Sequence, residues 1–381
     1  MYTLRQYLLS LSDPYGLTRS LGEIELCLSE EGQPLYTVGN SAAIFRIRHE
    51  GRVKALRCYF RPRRRLQAIY GKAYLNEELF LYDTPTSGRW VDVVLTEWIE
   101  GCTLTEAIRT AAEAHDRTAF QALAERFDRL ALDLLTDNWA HGDLKPDNLI
   151  LDNEGVLHLI DRDASYLPAF RGLSSPELGT AAFQHPARTA ADFNERLDDY
   201  PAALISTALH ALALDPTLYD RYAERDGLLF DPRHIHHDEA YREALLLFEI
   251  HGLPYSYRIA QGLTRATWSQ RDLIPVFAAL NNREATMPHT LPQPYVELGR
   301  WGYGTIQGVV IPPVFDWACD FSEGLAAVRM GSHWHFIDPT GAVVLHCPPC
   351  KVVKPFTNGF SIIYDEERSY KMDKNGRLFD F

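Results

Sequence analysis

The run His141-Gly142-Asp143-Leu144-Lys145-Pro146-Asp147-Asn148 places a carboxylate, an ammonium group and a carboxamide in one short polar loop. Phosphoryl transfer from a nucleotide needs a carboxylate at the attacking hydroxyl, a cation near the transferred phosphate and an oxygen donor on a metal. Asp143, Lys145 and Asn148 offer these three chemistries in that order. The apolar runs Leu149-Ile150-Leu151 and Val156-Leu157-His158-Leu159-Ile160 read as strands, and the second delivers Asp161 to the same place, 18 residues after Asp143. An Asp/Pro/Asn turn between two strands needs no chemistry to explain it. The second aspartate at that distance favours a reacting site.

Such a loop must be held by rigid elements on either side. From about Tyr36 to Tyr59 the text alternates and carries β-formers, with a turn at Glu50-Gly51. Arg63 to Tyr74 fits a helix, and Leu79 to Tyr82 and Val91 to Ile99 fit further strands. Beyond Gly101 the period changes. Phe120, Leu123, Ala124, Phe127, Leu130, Ala131, Leu134 and Leu135 recur at three- and four-residue steps, a long amphipathic helix leading into the loop. Tyr200 to Leu214 is apolar almost all round and predicts a buried helix, with Asp198 and Asp199 at the positive end of its dipole. Helical text continues to about Ala279. The expected fold class is α+β: a β-rich small lobe followed by a helical large lobe.

Composition narrows the function classes. A chain of 381 residues has a prior of two to three domains, and 46% apolar with 23% charged residues reads as an ordinary folded protein. A net charge of −13 argues against a nucleic-acid binder that works by phosphate neutralisation. The basic cluster Arg61-Pro62-Arg63-Arg64-Arg65 reads as a solvated helix start. Six scattered cysteines imply no disulfide framework and suit a reducing cytoplasm, the expected location. Cys347-Pro348-Pro349-Cys350 with His346 makes three of the about four ligands zinc needs, so the thiols read as incidental. His234, His236 and His237 with Asp238 read as a solvated helix start rather than a metal cluster. Met1 to Leu11 reads as a short amphipathic helix, not a signal peptide, and no stretch approaches the roughly 18 apolar residues of a membrane span.

After Met287 the text changes character. Pro288, Pro292 and Pro294 mark a linker. Trp301-Gly302-Tyr303 and Phe321-Ser322-Glu323-Gly324 then return about 33 residues on as Trp334-His335-Phe336-Ile337-Asp338-Pro339-Thr340-Gly341 and Phe356-Thr357-Asn358-Gly359-Phe360. A third copy begins at Tyr370-Lys371-Met372-Asp373-Lys374-Asn375-Gly376. This phrase resembles WG repeats, short β-rich units, and an unrelated meander would not reproduce its order.

The string H-x-D-x-x-x-x-N from His141 to Asn148, with Asp161 beyond it, resembles the catalytic core of the protein-kinase-like superfamily, over roughly residues 30–285. The resemblance implies that Asp143 accepts the substrate hydroxyl proton, that Lys145 neutralises the γ-phosphate and that Asn148 ligates one Mg2+. Asp161 stands where the D-F-G aspartate binds the metal bridging the β- and γ-phosphates, here in the triplet Asp161-Arg162-Asp163. Gly179-Thr180-Ala181-Ala182-Phe183-Gln184-His185-Pro186 resembles the segment that seats a peptide, in which Thr180 would bond Asp143 and Lys145, a contact associated with Ser/Thr kinases. Thr37 to Ile44 aligns with G-x-G-x-x-G-x-V, keeping Gly39 and placing a small Ala42 where backbone amides approach phosphate. Thr96-Glu97-Trp98-Ile99 resembles the gatekeeper and hinge whose backbone bonds adenine. Ala55 and Arg57 share the nucleotide-facing side of the strand Val53 to Cys58, with Arg57 in the place of the family's lysine.

This chain departs from the family pattern at three points. Arg57 is longer and forked compared with lysine. Lys54 points to the opposite face and reads as a solvated surface residue. Gln67 sits about where a glutamate would pair with the strand cation, while Glu77 and Glu78 run into the next strand. Gly142 replaces the arginine of H-R-D, so nothing there would grip a phosphorylated loop. H-G-D loops also occur in small-molecule kinases of the aminoglycoside and choline type, whereas Lys145-Pro146 favours the protein-kinase side.

The expectation is therefore an ATP- and Mg2+-dependent phosphotransferase, of the Ser/Thr protein-kinase-like type. Residues 1–98 would form an N-terminal extension and small lobe, 99–286 the large lobe, 287–296 a linker and 297–381 a WG-repeat domain for a protein substrate or partner, with no nucleic acid and no membrane. The rivals are a small-molecule kinase and a nucleotide-binding pseudokinase scaffold, the latter suggested by Arg57 and Gln67.

Overall fold

The structure, a computed structural model, describes residues 1–223, 227–266, 271–281, 292–305, 308–357, 359–365 and 368–380. It is a mixed α+β chain with several small antiparallel sheets and an all-β C-terminal region. The chain divides into two units, the first made of Met1–Ala114, Asn138–Ala181 and Thr189–Leu197, the second of the remaining segments through Phe381.

In the first unit, α1 (Leu4–Ser12) starts at a capping box between Thr3 and Gln6. The strands β1 (Ile24–Leu26), β2 (Tyr36–Val38), β3 (Ala42–His49) and β4 (Arg52–Tyr59) follow, then α2 (Leu66–Tyr70), β5 (Tyr74–Thr84) and β6 (Ser87–Glu97). They form one sheet in the order β1-β3-β4-β6-β5, with β2 added on β3. Alternation explains why both faces can be covered. Phe45, Ile47, Leu56, Cys58, Leu81 and Val93 point to the face that Tyr7 and Leu11 of α1 seal. On the other face Ala42, Tyr59 and Val94 pack with Leu66 of α2. In register, Arg57 lies between Ile44 and Val94 on this second face.

The helix expected over Arg63 to Tyr74 is shorter. Arg65 is left-handed (φ 74°) ahead of Leu66, and Gly71 (φ 54°) closes the C-terminus, so only Leu66–Tyr70 is α-helical and a 3-10 turn leads to β5. The arginines before it are not simply solvated. Arg63 pairs with Glu177, and Arg65 lies over the Phe170 and Phe193 rings at 5.4 and 5.6 Å. Three shorter strands, β7 (Gly101–Thr103), β8 (Leu149–Asp152) and β9 (Leu157–Leu159), form a separate sheet beside α3 (Leu104–Glu113).

In the second unit, α4 (Arg117–Thr136) carries the expected apolar stripe and packs on α5 (Asp199–Leu214), whose surface is buried nearly all round. One polar residue interrupts the stripe. Asp128 is buried and satisfied by Ser206 Oγ at 2.6 Å and His210 Nε2 at 2.7 Å, as burial of a carboxylate requires. The helices α6 (Thr217–Tyr222), α7 (Glu239–Ile250), α8 (Pro254–Gly262) and α9 (Ile274–Leu280) follow. Asp238 caps α7 through the Tyr241 amide at 2.8 Å, the role expected of the histidine-rich segment before it.

The C-terminal region holds three sheets. The first is β10 (Gln293–Glu297), β11 (Arg300–Thr305) and β12 (Gly308–Phe315). The second is β13 (Trp317–Ala318), β14 (Ala326–Met330), β15 (His333–Ile337) and β16 (Val343–His346), and the third β17 (Val352–Val353), β18 (Phe360–Tyr364), β19 (Ser369–Asp373) and β20 (Leu378–Asp380). The linker expected over 287–296 is corrected at its far end, because Gln293–Glu297 is a strand. Pro294 is tolerated there since β10 is an edge strand and the missing N–H can face away from the ladder. Residues 282–291 lie outside those described.

Repeat identity is visible in the turns. The Asp338 carboxylate accepts the amides of Thr340 at 2.9 Å and Ala342 at 3.2 Å, and Asp373 does the same for Asn375 and Arg377 at 2.9 Å each. Gly341 and Gly376 take φ of 87° and 80° in these two turns. The F-x-x-G phrases close alike, with Ser322 and Leu325 exchanging amide bonds as Thr357 and Phe360 do. Among the described residues no helix is long and apolar enough to cross a membrane.

Candidate functional site

The loop from His141 to Asn148 is shaped from below. Gly142 has φ 81°, and a Cβ there would lie 2.4 Å from the Ala164 carbonyl oxygen, so a side chain is excluded on two counts. This explains the departure at Gly142 without reference to any phosphorylated segment. His141 is fully buried with Nε2 at 2.8 Å from the Ile160 oxygen, and the Ile160 amide donates to Asn148 O at 3.0 Å. These bonds lay the segment carrying Asp161 alongside the loop carrying Asp143.

Four of the expected residues converge. Asn148 Nδ2 donates to Asp143 O at 2.8 Å and to its Oδ2 at 3.3 Å. Asp143 Oδ1 accepts the Thr180 amide at 2.6 Å, and Lys145 Nζ lies 3.8 Å from Oδ2. Thr180 thus reaches Asp143 through its backbone N–H. The Asn148 side-chain oxygen, Oδ1, takes no part in these bonds.

A second group forms around Arg57. Its Nη1 donates to Asp161 Oδ1 at 2.5 Å and to Asp163 Oδ2 at 3.0 Å. Tyr59 and Tyr70 both donate to Asp163 Oδ1, at 2.9 and 2.7 Å, and Tyr70 OH accepts the Arg162 amide at 3.1 Å. Burial pulls the Arg57 guanidinium down, but Tyr70, Asp161 and Asp163 outweigh it and hold it above the usual arginine range. Burial pushes both phenols up, and Asp163 adds to it while Arg57 opposes, so Tyr59 and Tyr70 keep their protons as donors. Asp161 is left-handed (φ 59°) and opens the 3-10 turn Arg162–Ala164, a conformation costing about 1–2 kcal/mol that its neighbours must hold.

Gln67 is corrected as the partner of Arg57. It is exposed, and the acid comes instead from Asp163, on the far side of Arg162. Glu78 is committed elsewhere, accepting the amides of Arg19, Ser20 and Leu21 at 3.0, 2.8 and 2.8 Å. Lys54 is likewise not a solvated residue, since it pairs with Glu97 across β4 and β6 with its side chain 16% exposed. The remaining expected residues lie on the sheet or at the ends of its strands. Ala55 and Thr96 are register partners, and Trp98 lies under the Arg46 guanidinium at 5.0 Å. Gly39 makes the turn between β2 and β3, its amide donating to Ala42 O at 2.9 Å, and Ala42 is buried. Asp163, Tyr59 and Tyr70 were missed from sequence. Their only written signals are the second acid in Asp161-Arg162-Asp163 and a tyrosine two residues after Arg57, on the same strand face.

No cluster of three or more His, Cys, Asp or Glu able to hold a metal occurs among the described residues. A hard divalent cation bound partly through phosphate oxygens needs only one or two carboxylates. Asp161, its side chain 42% exposed, and the side-chain oxygen Oδ1 of Asn148 fit that smaller donor set.

A family model described as WG containing repeat matches residues 305–334. No curated protein matches the chain.

Proposed function

We propose that the chain is an ATP- and Mg2+-dependent phosphotransferase of the protein-kinase-like superfamily, with a bilobal arrangement of the sheet and helices, acting on a Ser or Thr hydroxyl of a protein. The observation that carries the reading is Asp143, oriented by the Thr180 amide, with Asn148 and Lys145 beside it. Asp143 accepts the proton of the attacking hydroxyl as oxygen bonds to the γ-phosphorus and the bond to the leaving diphosphate breaks. Lys145 offsets charge on the transferred group, and Arg57 meets the diphosphate with a forked donor. Asn148 and Asp161 would hold Mg2+, which supplies charge neutralisation between the phosphates. The segment Thr96 to Trp98 at the C-terminal end of β6 would take the adenine, and the WG repeats within 297–381 would recruit the protein substrate.

Labelled ATP with Mg2+, added to the purified chain with and without lysate protein, tests the reading. Transfer to protein, absent from Asp143→Asn, supports it; ATP binding with no transfer to any acceptor leaves the scaffold reading, which the Arg57–Asp161 bond favours.

A further inference from the structure

Two carboxylates share one nitrogen of Arg57, yet they differ in every other respect. Asp163 is enclosed, its side chain 5% exposed, and its two oxygens are committed to Arg57, Tyr59 and Tyr70. Asp161 is 42% exposed and its one described side-chain bond is to Arg57. All described bonds of the guanidinium use Nη1, so Nε and Nη2 have no partner among the described residues. The sheet neighbours Ile44 and Val94 are apolar and cannot steer the side chain.

We infer that Asp163, fixed by Tyr59 and Tyr70, is the positioning residue of Arg57 for a nucleotide polyphosphate, and that Asp161 is the exchangeable partner, released to a divalent cation. This rests on the proposed function. Asp163 balances the buried guanidinium charge whether or not Asp161 stays bound, and its bond to Nη1 leaves Nε and Nη2 uncommitted among the described residues. Asp161 then leaves Arg57 without stranding a buried charge. The three consecutive residues Asp161, Arg162 and Asp163 thereby tie the metal ligand and the phosphate-binding cation to one turn.

The test is a Mg2+ titration of ATP binding at fixed nucleotide, read by calorimetry, with adenosine as the ligand lacking phosphates. In Asp163→Asn, Arg57 leans on Asp161 alone and the cation must compete for it. The Mg2+ midpoint should rise about tenfold, the scale of one charge-assisted hydrogen bond, with adenosine binding unchanged. Tyr70→Phe should raise it about threefold, one neutral hydrogen bond. A folded Asp163→Asn whose midpoint moves less than twofold overturns the inference. If that variant melts too early, unchanged midpoints in both Tyr59→Phe and Tyr70→Phe overturn it equally. A wild-type chain that binds no ATP at any Mg2+ concentration defeats the proposed function instead. The anchor is then read from melting temperatures of Arg57→Ala, Asp163→Asn and the double variant: strong coupling keeps the pairing, and additivity sinks it.

Discussion

At the scale of single residues, the proposed function assigns chemistry to Asp143 and nucleotide binding to Arg57. Asp143 faces its loop partners Asn148, Lys145 and Thr180, so Asp143→Asn should lower kcat by about two orders of magnitude with ATP affinity retained. Equal loss of both, measured by steady-state kinetics beside nucleotide binding, would assign the aspartate a structural role. Arg57 carries a different penalty. Arg57→Ala strands Asp161 and the enclosed Asp163, and breaking a buried pair costs about 3–5 kcal/mol. Denaturant unfolding should show most of that loss, with weaker ATP binding on top. Arg57→Lys offers a shorter point charge that cannot serve two carboxylates and a phosphate at once, so it should bind ATP less well than wild type. The convergence of Asp143 with Asn148, and of the segment carrying Asp161 with their loop, was legible because the spacing lies within one stretch of chain. Asp163 was not, because its meaning depends on Tyr59 and Tyr70, about a hundred residues earlier, and only folding brings them together.

At the scale of elements, legibility followed periodicity. The stripe of α4, the hairpin of β3 and β4 and the turn at Glu50-Gly51 stand where the pattern put them, since local alternation alone specifies them. The helix after Arg63 shrank because Arg65 and Gly71 take positive φ, a backbone choice that side-chain pattern does not write. Pro294 misled in the opposite direction, as proline marks a linker or an edge strand equally well. The turn at Gly142 makes a sharper claim. Gly142→Ala forces a Cβ within 2.4 Å of a backbone oxygen at φ 81°, so the turn must shift. A loss of about 2 kcal/mol or more is expected, above the 1–2 kcal/mol of left-handed strain alone, with activity falling further than stability. A variant as active as wild type would show that the loop does not need this turn.

At the scale of the whole chain, the repeat array behaves as stacked sheets sharing cores. Ala326, Val328 and Ile337 enter the cluster with Tyr303 and Phe315, while Ala327, Trp334 and Phe336 enter the one with Val353, Phe356 and Met372. The middle sheet is therefore covered on both faces, by the sheet before it and the sheet after. Such units depend on their neighbours for burial, so stability is shared along the array. Phe336→Ala, in a fully buried position, should cost about 3–5 kcal/mol and open both flanking sheets together. Limited proteolysis should then cut throughout 293–380 at one rate. The proposed site lies wholly in the first unit, which contains none of these residues. The ATP-dependent thermal shift and phosphorylation of a short peptide should persist in Phe336→Ala, while phosphorylation of a protein acceptor falls, if the repeats recruit that acceptor. Equal loss on peptide and protein would remove recruitment from the role of the repeats.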